Sequence, residues 1–267
     1  ANTHPYLSTG RKENKFGLSA SDVHEAYQRA RALGHLDVVG IDCHIGSQLM
    51  QVAPFTDAIA RTAELARELQ NDGARLAFLD IGGGLGIPYT DDDLPPSPVD
   101  YALAVREVLA PLTDLDLTLL MEPGRVLVGN AGVLLTEVLY RKSSGPKNFV
   151  IVDAAFNDLL RPAFYDSHHA IQPVSRRAGA AVWTCDVVGP ICETGDFLAH
   201  DRAMERPERG DLLALMSAGA YGFSMASNYN SRPRAAEVLV QKEKFAVVRR
   251  RESIDDLFRD ESIPEWA

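Results

Sequence analysis

Leu76-Ala-Phe-Leu-Asp-Ile-Gly-Gly-Gly84 sets a short apolar run directly against a glycine cluster. The run is too short for a helix and reads as a buried strand. Its glycine tip is a loop that can bring backbone N–H groups close to a ligand. The same grammar recurs on both sides. Val38-Val-Gly-Ile-Asp-Cys-His44 is a strand continued by Ile45-Gly-Ser47, and Leu117-Thr-Leu-Leu-Met121 is a strand continued by Glu122-Pro-Gly-Arg125. Between them, Phe55 to Leu69 places Phe55, Ile59, Thr62, Leu65, Ala66 and Leu69 on one helical face, and Val99 to Leu112 also reads as helix. Strands starting at Val38, Leu76 and Leu117 with helices between them are βα units of a parallel sheet. In such sheets the strand C-terminal ends carry the site.

Beyond about Val128 the texture changes. Val133 to Tyr140, Phe149 to Val152, Ala180 to Val188, Asp211 to Met216, Ala236 to Val240 and Phe245 to Arg249 are short, β-rich and separated by turn residues. They predict an antiparallel β domain closed by a helix near Ser253 to Arg259. The expected division is residues 1–128 (α/β) and 129–267 (all-β). The run Asp91-Asp-Asp-Leu-Pro-Pro-Ser-Pro98 is a solvated loop ahead of a helix. A closed (β/α)8 barrel takes roughly 250 residues, so the α/β half is read as the later part of one, entered partway round. Its open edges and apolar faces predict poor solubility unless another chain covers them.

The 267 residues are 46% hydrophobic and 24% charged, with a formal net charge of −10. That charge disfavours nucleic-acid binding and requires any anionic ligand to find a local positive site. No apolar run approaches the roughly 20 residues of a membrane span, and Ala1 to Gly17 is polar and broken by Pro5 and Gly10. Cys43, Cys185 and Cys192 show neither a paired framework nor metal-ligand spacing, which fits a reducing cytoplasm and no metal.

The chemistry-bearing residues fall at the strand ends. Gly82-Gly-Gly84 with Gly86 suits a phosphate cradle or a purely structural turn, and Pro88 interrupts any dinucleotide fingerprint. Glu122, Pro123, Gly124 and Arg125 supply an acid, a forced turn and a bidentate anion binder, or equally a surface charge pair. His44 is either a core histidine or, with Gly46 and Ser47 following, part of a third ligand loop. Together the loops favour a phosphate ligand with a nearby cationic ring. In the β half, Cys192-Glu193 lies between Pro190 and Gly195, which suits an exposed loop. Arg161 and Tyr165 share a face if their segment is helical, the bland alternative being a surface arginine beside a packing tyrosine. Tyr221 sits among small residues.

His44-Ile-Gly-Ser-Gln48, Asp80-Ile-Gly-Gly-Gly84, Glu122-Pro-Gly-Arg125, Asn157 to Tyr165, Gly189-Pro-Ile-Cys-Glu193 and Gly219-Ala-Tyr-Gly222 occur in this order along the chain. In that order the sequence resembles the diaminopimelate decarboxylases over essentially its whole length. The opening Thr3 to Gly10, with Lys15-Phe-Gly17, resembles an internal stretch of those enzymes. The resemblance implies a pyridoxal 5'-phosphate (PLP) binding barrel joined to a β domain, working as a homodimer with shared active sites. It implies that His44 stacks on the pyridine ring and that Ser47, Gly82, Gly83, Gly84 and Gly124 hold the phosphate, with Pro123 shaping that loop. Glu122 would pair with the pyridine nitrogen. Arg125, Arg161 and Tyr165 would grip the distal carboxylate of a diamino diacid, and Tyr221 would lie against cofactor and substrate. Cys192 would be a proton donor and Glu193 a contact for the distal amino group, both reaching the partner's site.

One departure from the family is visible. None of Lys12, Lys15, Lys142, Lys147, Lys242 and Lys244 lies in a motif matching the family's Schiff-base lysine. The chain is therefore expected to be a C-terminal portion, inactive alone, of an enzyme converting meso-2,6-diaminoheptanedioate to L-lysine and CO2. The alternatives are a related decarboxylase of ornithine or arginine, where an acid is expected in place of the arginine, and a non-catalytic binding homologue.

Overall fold

The computed structural model describes residues 15–177, 179 and 181–266. Thr3 to Gly10, Lys12 and Ala180 lie outside them. The chain divides into two compact units, Ala1–Val128 and Gly129–Ala267.

In the first unit, α1 (Ala20–Arg31) precedes β1 (Gly40–Asp42), α2 (Ala53–Asn71), β2 (Phe78–Asp80), α3 (Pro98–Leu109), β3 (Thr118–Leu120) and the one-turn α4 (Arg125–Val128). The strands are parallel in the order β1-β2-β3, with Gly40 opposite Phe78 and Phe78 opposite Thr118. Parallel neighbours need a crossover, and α2 and α3 supply it. α3 starts sharply because Ser97 caps it, its hydroxyl accepting from the Asp100 N–H, with Pro98 in the first turn. The buried stripe of α2 is Phe55, Ile59, Thr62, Ala63, Ala66 and Leu69. Leu65, expected on it, sits at its margin, half-buried. Phe55 meets Tyr101 of α3 edge-on, with centroids 4.9 Å apart, and Leu79 and Ile81 complete this core. Burying a side chain of this size contributes about 1.5–3 kcal/mol. Phe78 and Leu120 remain exposed, which accords with the open faces expected of a partial barrel.

The second unit holds β4 (Leu134–Ser144), β5 (Lys147–Val152), α5 (Arg161–Tyr165), β6 (Ile171–Pro173), β7 (Val182–Val188), β8 (Phe197–Glu205), β9 (Leu212–Leu215), β10 (Glu237–Gln241), β11 (Lys244–Arg249) and α6 (Ile254–Leu257). Six strands form one sheet in the order β6-β9-β4-β5-β7-β8, and β10 and β11 form a separate hairpin. The expected antiparallel β domain is present, with one exception within its sheet: β5 and β7 run parallel, with Phe149 opposite Asp186. The long connection through α5 and β6 makes this possible, because it carries the chain back before β7 begins. The closing helix is a single turn, shorter than expected. Val138, Val150, Val152, Val187, Leu198, Leu213 and Leu215 form the core. No helix among the described residues is long and apolar enough to cross a membrane.

Candidate active site

The tips of β1, β2 and β3 are zipped together beyond the strands. Cys43 N–H donates to Asp80 O (3.1 Å), Ile81 N–H to Leu120 O (3.1 Å), Glu122 N–H to Gly82 O (2.9 Å) and Leu49 N–H to Gly84 O (2.9 Å). The glycine cluster lies between the other two loops, which is why it must be glycine. A Cβ on Gly83 would overlap the Glu122 carbonyl oxygen, and one on Gly84, at φ +103°, would overlap that of Gly46. Gln48 adds a side-chain ladder, donating to Ile87 O (2.6 Å) and accepting from Ile87 N–H (3.2 Å).

Several expected site residues meet here. Gly83 N–H donates to His44 Nδ1 (3.3 Å), and that nitrogen lies 4.0 Å from Glu122 Oε2. Carboxylate oxygens of Asp42, Asp80 and Glu122 lie within 4.8 Å of one another, which gives this corner a strongly negative field. Burial and then the Asp80 charge raise the Asp42 carboxyl above its ordinary range. Arg125 is buried, 6% exposed. Its Nη2 donates to Ser47 Oγ (2.9 Å) and its Nη1 to the Tyr89 hydroxyl (2.5 Å), so one guanidinium joins all three loops. Gly82–Gly84, Met121, Pro123, Gly124 and Arg125 help line a cavity of about 250 Å³, and the space beside Gly124 is open.

The second unit prepares its own residues. Cys192 and Glu193 ride a loop folded around a buried carboxylate: Asp196 accepts from Phe156 N–H (2.8 Å) and Ile191 N–H (2.7 Å). Burial raises the Asp196 carboxyl, and these backbone donors act against the rise. Cys192 is exposed, and Glu193 accepts from the Tyr229 hydroxyl (2.5 Å). Tyr221 is 44% exposed and has φ +58°, held in a loop that Gly219 N–H pins to Gly129 O (3.0 Å). Arg161 opens α5 but is no surface arginine. It is 4% exposed and donates to His169 Nε2 at 2.9 Å, while Tyr165 is half-buried one turn on. Among the lysines, Lys15 lies 5.1 Å over the Phe16 ring and Lys147 pairs with Asp186 at 2.9 Å.

Tyr89, His169, Asp196 and Tyr229 were not singled out from the sequence. Asp196, directly after Gly195, had the one local cue, an acid closing a tight loop; the others meet their partners only through long-range folding.

A strand-end cradle of glycines, hydroxyl and guanidinium beside an acid and an imidazole, followed by a sheet unit, defines an α/β-plus-β protein with an anion-suited site at its strand ends. The family model described as pyridoxal-dependent decarboxylase, pyridoxal binding domain, matches residues 1–129, and that described as pyridoxal-dependent decarboxylase, C-terminal sheet domain, matches residues 79–219. The chain belongs to the pyridoxal-dependent decarboxylase family, whose cofactor is PLP. Diaminopimelate decarboxylase of Pseudomonas aeruginosa is 55% identical over 263 residues, 98% of this chain and 62% of that protein. Diaminopimelate decarboxylase from Helicobacter pylori complexed with L-lysine superposes with a TM-score of 0.89 at 42% identity, covering 97% of this chain and 63% of the other. The M. jannaschii enzyme in co-complex with L-lysine gives 0.90 at 38% identity, covering 98% and 61%. The chain thus spans somewhat under two thirds of the length of these relatives.

Proposed function

We propose that this chain acts in a PLP-dependent decarboxylase that converts meso-2,6-diaminoheptanedioate to L-lysine and CO2. The observation that carries the reading is the buried Arg125 guanidinium joining Ser47 and Tyr89 at the glycine-lined strand ends, in a chain 55% identical to a diaminopimelate decarboxylase.

The residues present fit the cofactor. The Ser47 hydroxyl accepts from Arg125 and keeps its own proton to donate, and the Gly84 and Gly124 amides supply further donors of the kind a phosphate dianion needs, while Gly82 and Gly83, whose N–H groups donate to Asp80 Oδ1 and His44 Nδ1, contribute close approach through their missing side chains. Glu122, in its negative corner beside His44, suits a protonated ring nitrogen, and by the family resemblance the His44 imidazole would stack on the ring. PLP, when bound, supplies an electron sink for the pair left at Cα when CO2 departs. The chain's own residues do the rest. By the family resemblance, Arg125, Arg161 and Tyr165 would bind the distal carboxylate, and Tyr221 would contact cofactor and substrate. Glu193, oriented by Tyr229, meets the distal ammonium. The Cys192 thiol delivers the proton to Cα. By the family resemblance, Cys192 and Glu193 serve the partner's site in a cytoplasmic homodimer.

Subunit exchange in the holoenzyme tests this. Wild-type enzyme must release CO2 from the diacid; failure to do so refutes the reading. Cys192→Ala and Arg125→Ala should each be nearly inactive, with Cys192→Ala retaining PLP. Random reassortment of an equal mixture gives one intact site per mixed dimer, so activity should return to about a quarter of wild type. Demonstrated exchange with no recovery would remove Cys192 from the shared site.

A further inference from the structure

We propose that His169 is a positioning residue that aims the Arg161 guanidinium at the substrate's distal carboxylate. The proposal rests on the assignment of Arg161 made above. His169 is fully buried, and a buried imidazole needs both nitrogens satisfied. Its Nδ1 lies 2.8 Å from Met216 O, and its Nε2 lies 2.9 Å from Arg161 Nη1. A carbonyl oxygen only accepts, so Nδ1 carries the hydrogen. A guanidinium only donates, so Nε2 offers its lone pair. A single neutral tautomer satisfies both contacts.

The anchor behind this relay is firm. Met216 follows β9 directly, and its N–H donates to Ala170 O at 2.8 Å. Ile171 of β6 pairs with Leu215 of β9. Sheet, imidazole and guanidinium are therefore linked in series from Met216 through His169 to Arg161. Such support is needed because α5 is a single turn that ends at Asp166 in the left-handed region, and one turn does not fix a long, flexible side chain. The choice of histidine matters chemically. A carboxylate in its place would orient the guanidinium but also neutralise it. A neutral imidazole directs one N–H without placing a negative charge beside the guanidinium.

The test compares two amides in the PLP-loaded holoenzyme. His169→Asn places an amide where Nδ1 lies, so it can keep the bond to Met216 but presents no acceptor to Arg161. His169→Gln reaches the Nε2 position and can accept from Arg161. His169→Asn should raise KM for the diacid on the order of tenfold, the loss expected for one misdirected charge-assisted hydrogen bond, with kcat within about twofold. His169→Gln should restore KM to within about threefold of wild type. Arg161→Ala should raise KM at least as much as His169→Asn, and combining the two should add nothing further. Unchanged KM in Arg161→Ala refutes the role of Arg161 and this proposal with it. A raised KM in Arg161→Ala with a normal KM in His169→Asn, or equal damage from Asn and Gln, refutes the proposal alone. A variant-free check is the 15N spectrum of the wild-type ring, which should show protonated Nδ1 and bare Nε2. A doubly protonated or Nε2-protonated ring overturns the proposal.

Discussion

Arg125 illustrates how far one residue can be read from sequence. As part of Glu122-Pro-Gly-Arg125 it is legible as an anion binder, because a guanidinium after a strand-end glycine is an economical way to meet a phosphate or carboxylate. Its burial, and its bonds to Ser47 and Tyr89, depend on loops that are distant in sequence and were not legible. The cysteines show the same contrast. Cys192 is legible as a loop residue between Pro190 and Gly195, whereas Cys185 carries no such cue; it is buried, and burial followed by the Asp186 charge pushes its thiol up to about 11. At pH 8 its thiolate fraction is then on the order of one part in a thousand. Alkylation of the folded protein at pH 8, mapped by mass spectrometry, should spare Cys185 until the chain unfolds. Modification of Cys185 as fast as exposed Cys192 would contradict its placement. His169 marks the limit of sequence reading, since a lone histidine gives no sign of the arginine it will meet.

At the scale of elements, the strand tips were legible because apolar runs end in glycine or in charged turn residues, and α2 because its apolar spacing is helical. β8 was not legible. Phe-Leu-Ala-His-Asp-Arg-Ala-Met-Glu205 has little intrinsic strand preference and becomes a strand by pairing with β7, where Trp183 faces Met204. β6 is three residues ending in Pro173, tolerated because it is an edge strand. The hairpin of β10 and β11 is fastened at its base by Glu252, which accepts from Arg234 Nε (2.8 Å), Arg234 N–H (2.8 Å) and Asn228 Nδ2 (2.6 Å). The Arg234 guanidinium and these amides hold the Glu252 carboxyl down at about 2, against an ordinary value of 4.5. A depressed folded-state value stabilises the fold above pH 4.5, and that contribution is lost as pH falls from 4.5 through about 2. Protection factors of the hairpin amides, corrected for the intrinsic pH dependence of exchange, should fall over that window. Glu252→Gln should remove the acid dependence and raise exchange at neutral pH, and an unchanged profile would contradict the clamp.

For the whole molecule, the order of motifs carried more than any single motif. A glycine-rich turn or a lone arginine is ambiguous, whereas six strand-end and loop motifs in sequence specify both the α/β unit and the sheet unit. In the second unit, the parallel pairing of β5 with β7 is not legible, because strand direction depends on the path of the connection and not on composition. In the proposed reaction the enzyme acts on a diamino diacid, recognised through the cations Arg125 and Arg161. A site built to bond a second carboxylate penalises substrates lacking it, because its buried donors are left unsatisfied. The deciding measurement is kcat/KM for CO2 release by the holoenzyme from meso-2,6-diaminoheptanedioate, ornithine and arginine, with the amine product identified. The diacid should be preferred by on the order of a hundredfold or more, with L-lysine as its product. Comparable turnover of ornithine or arginine would contradict the account.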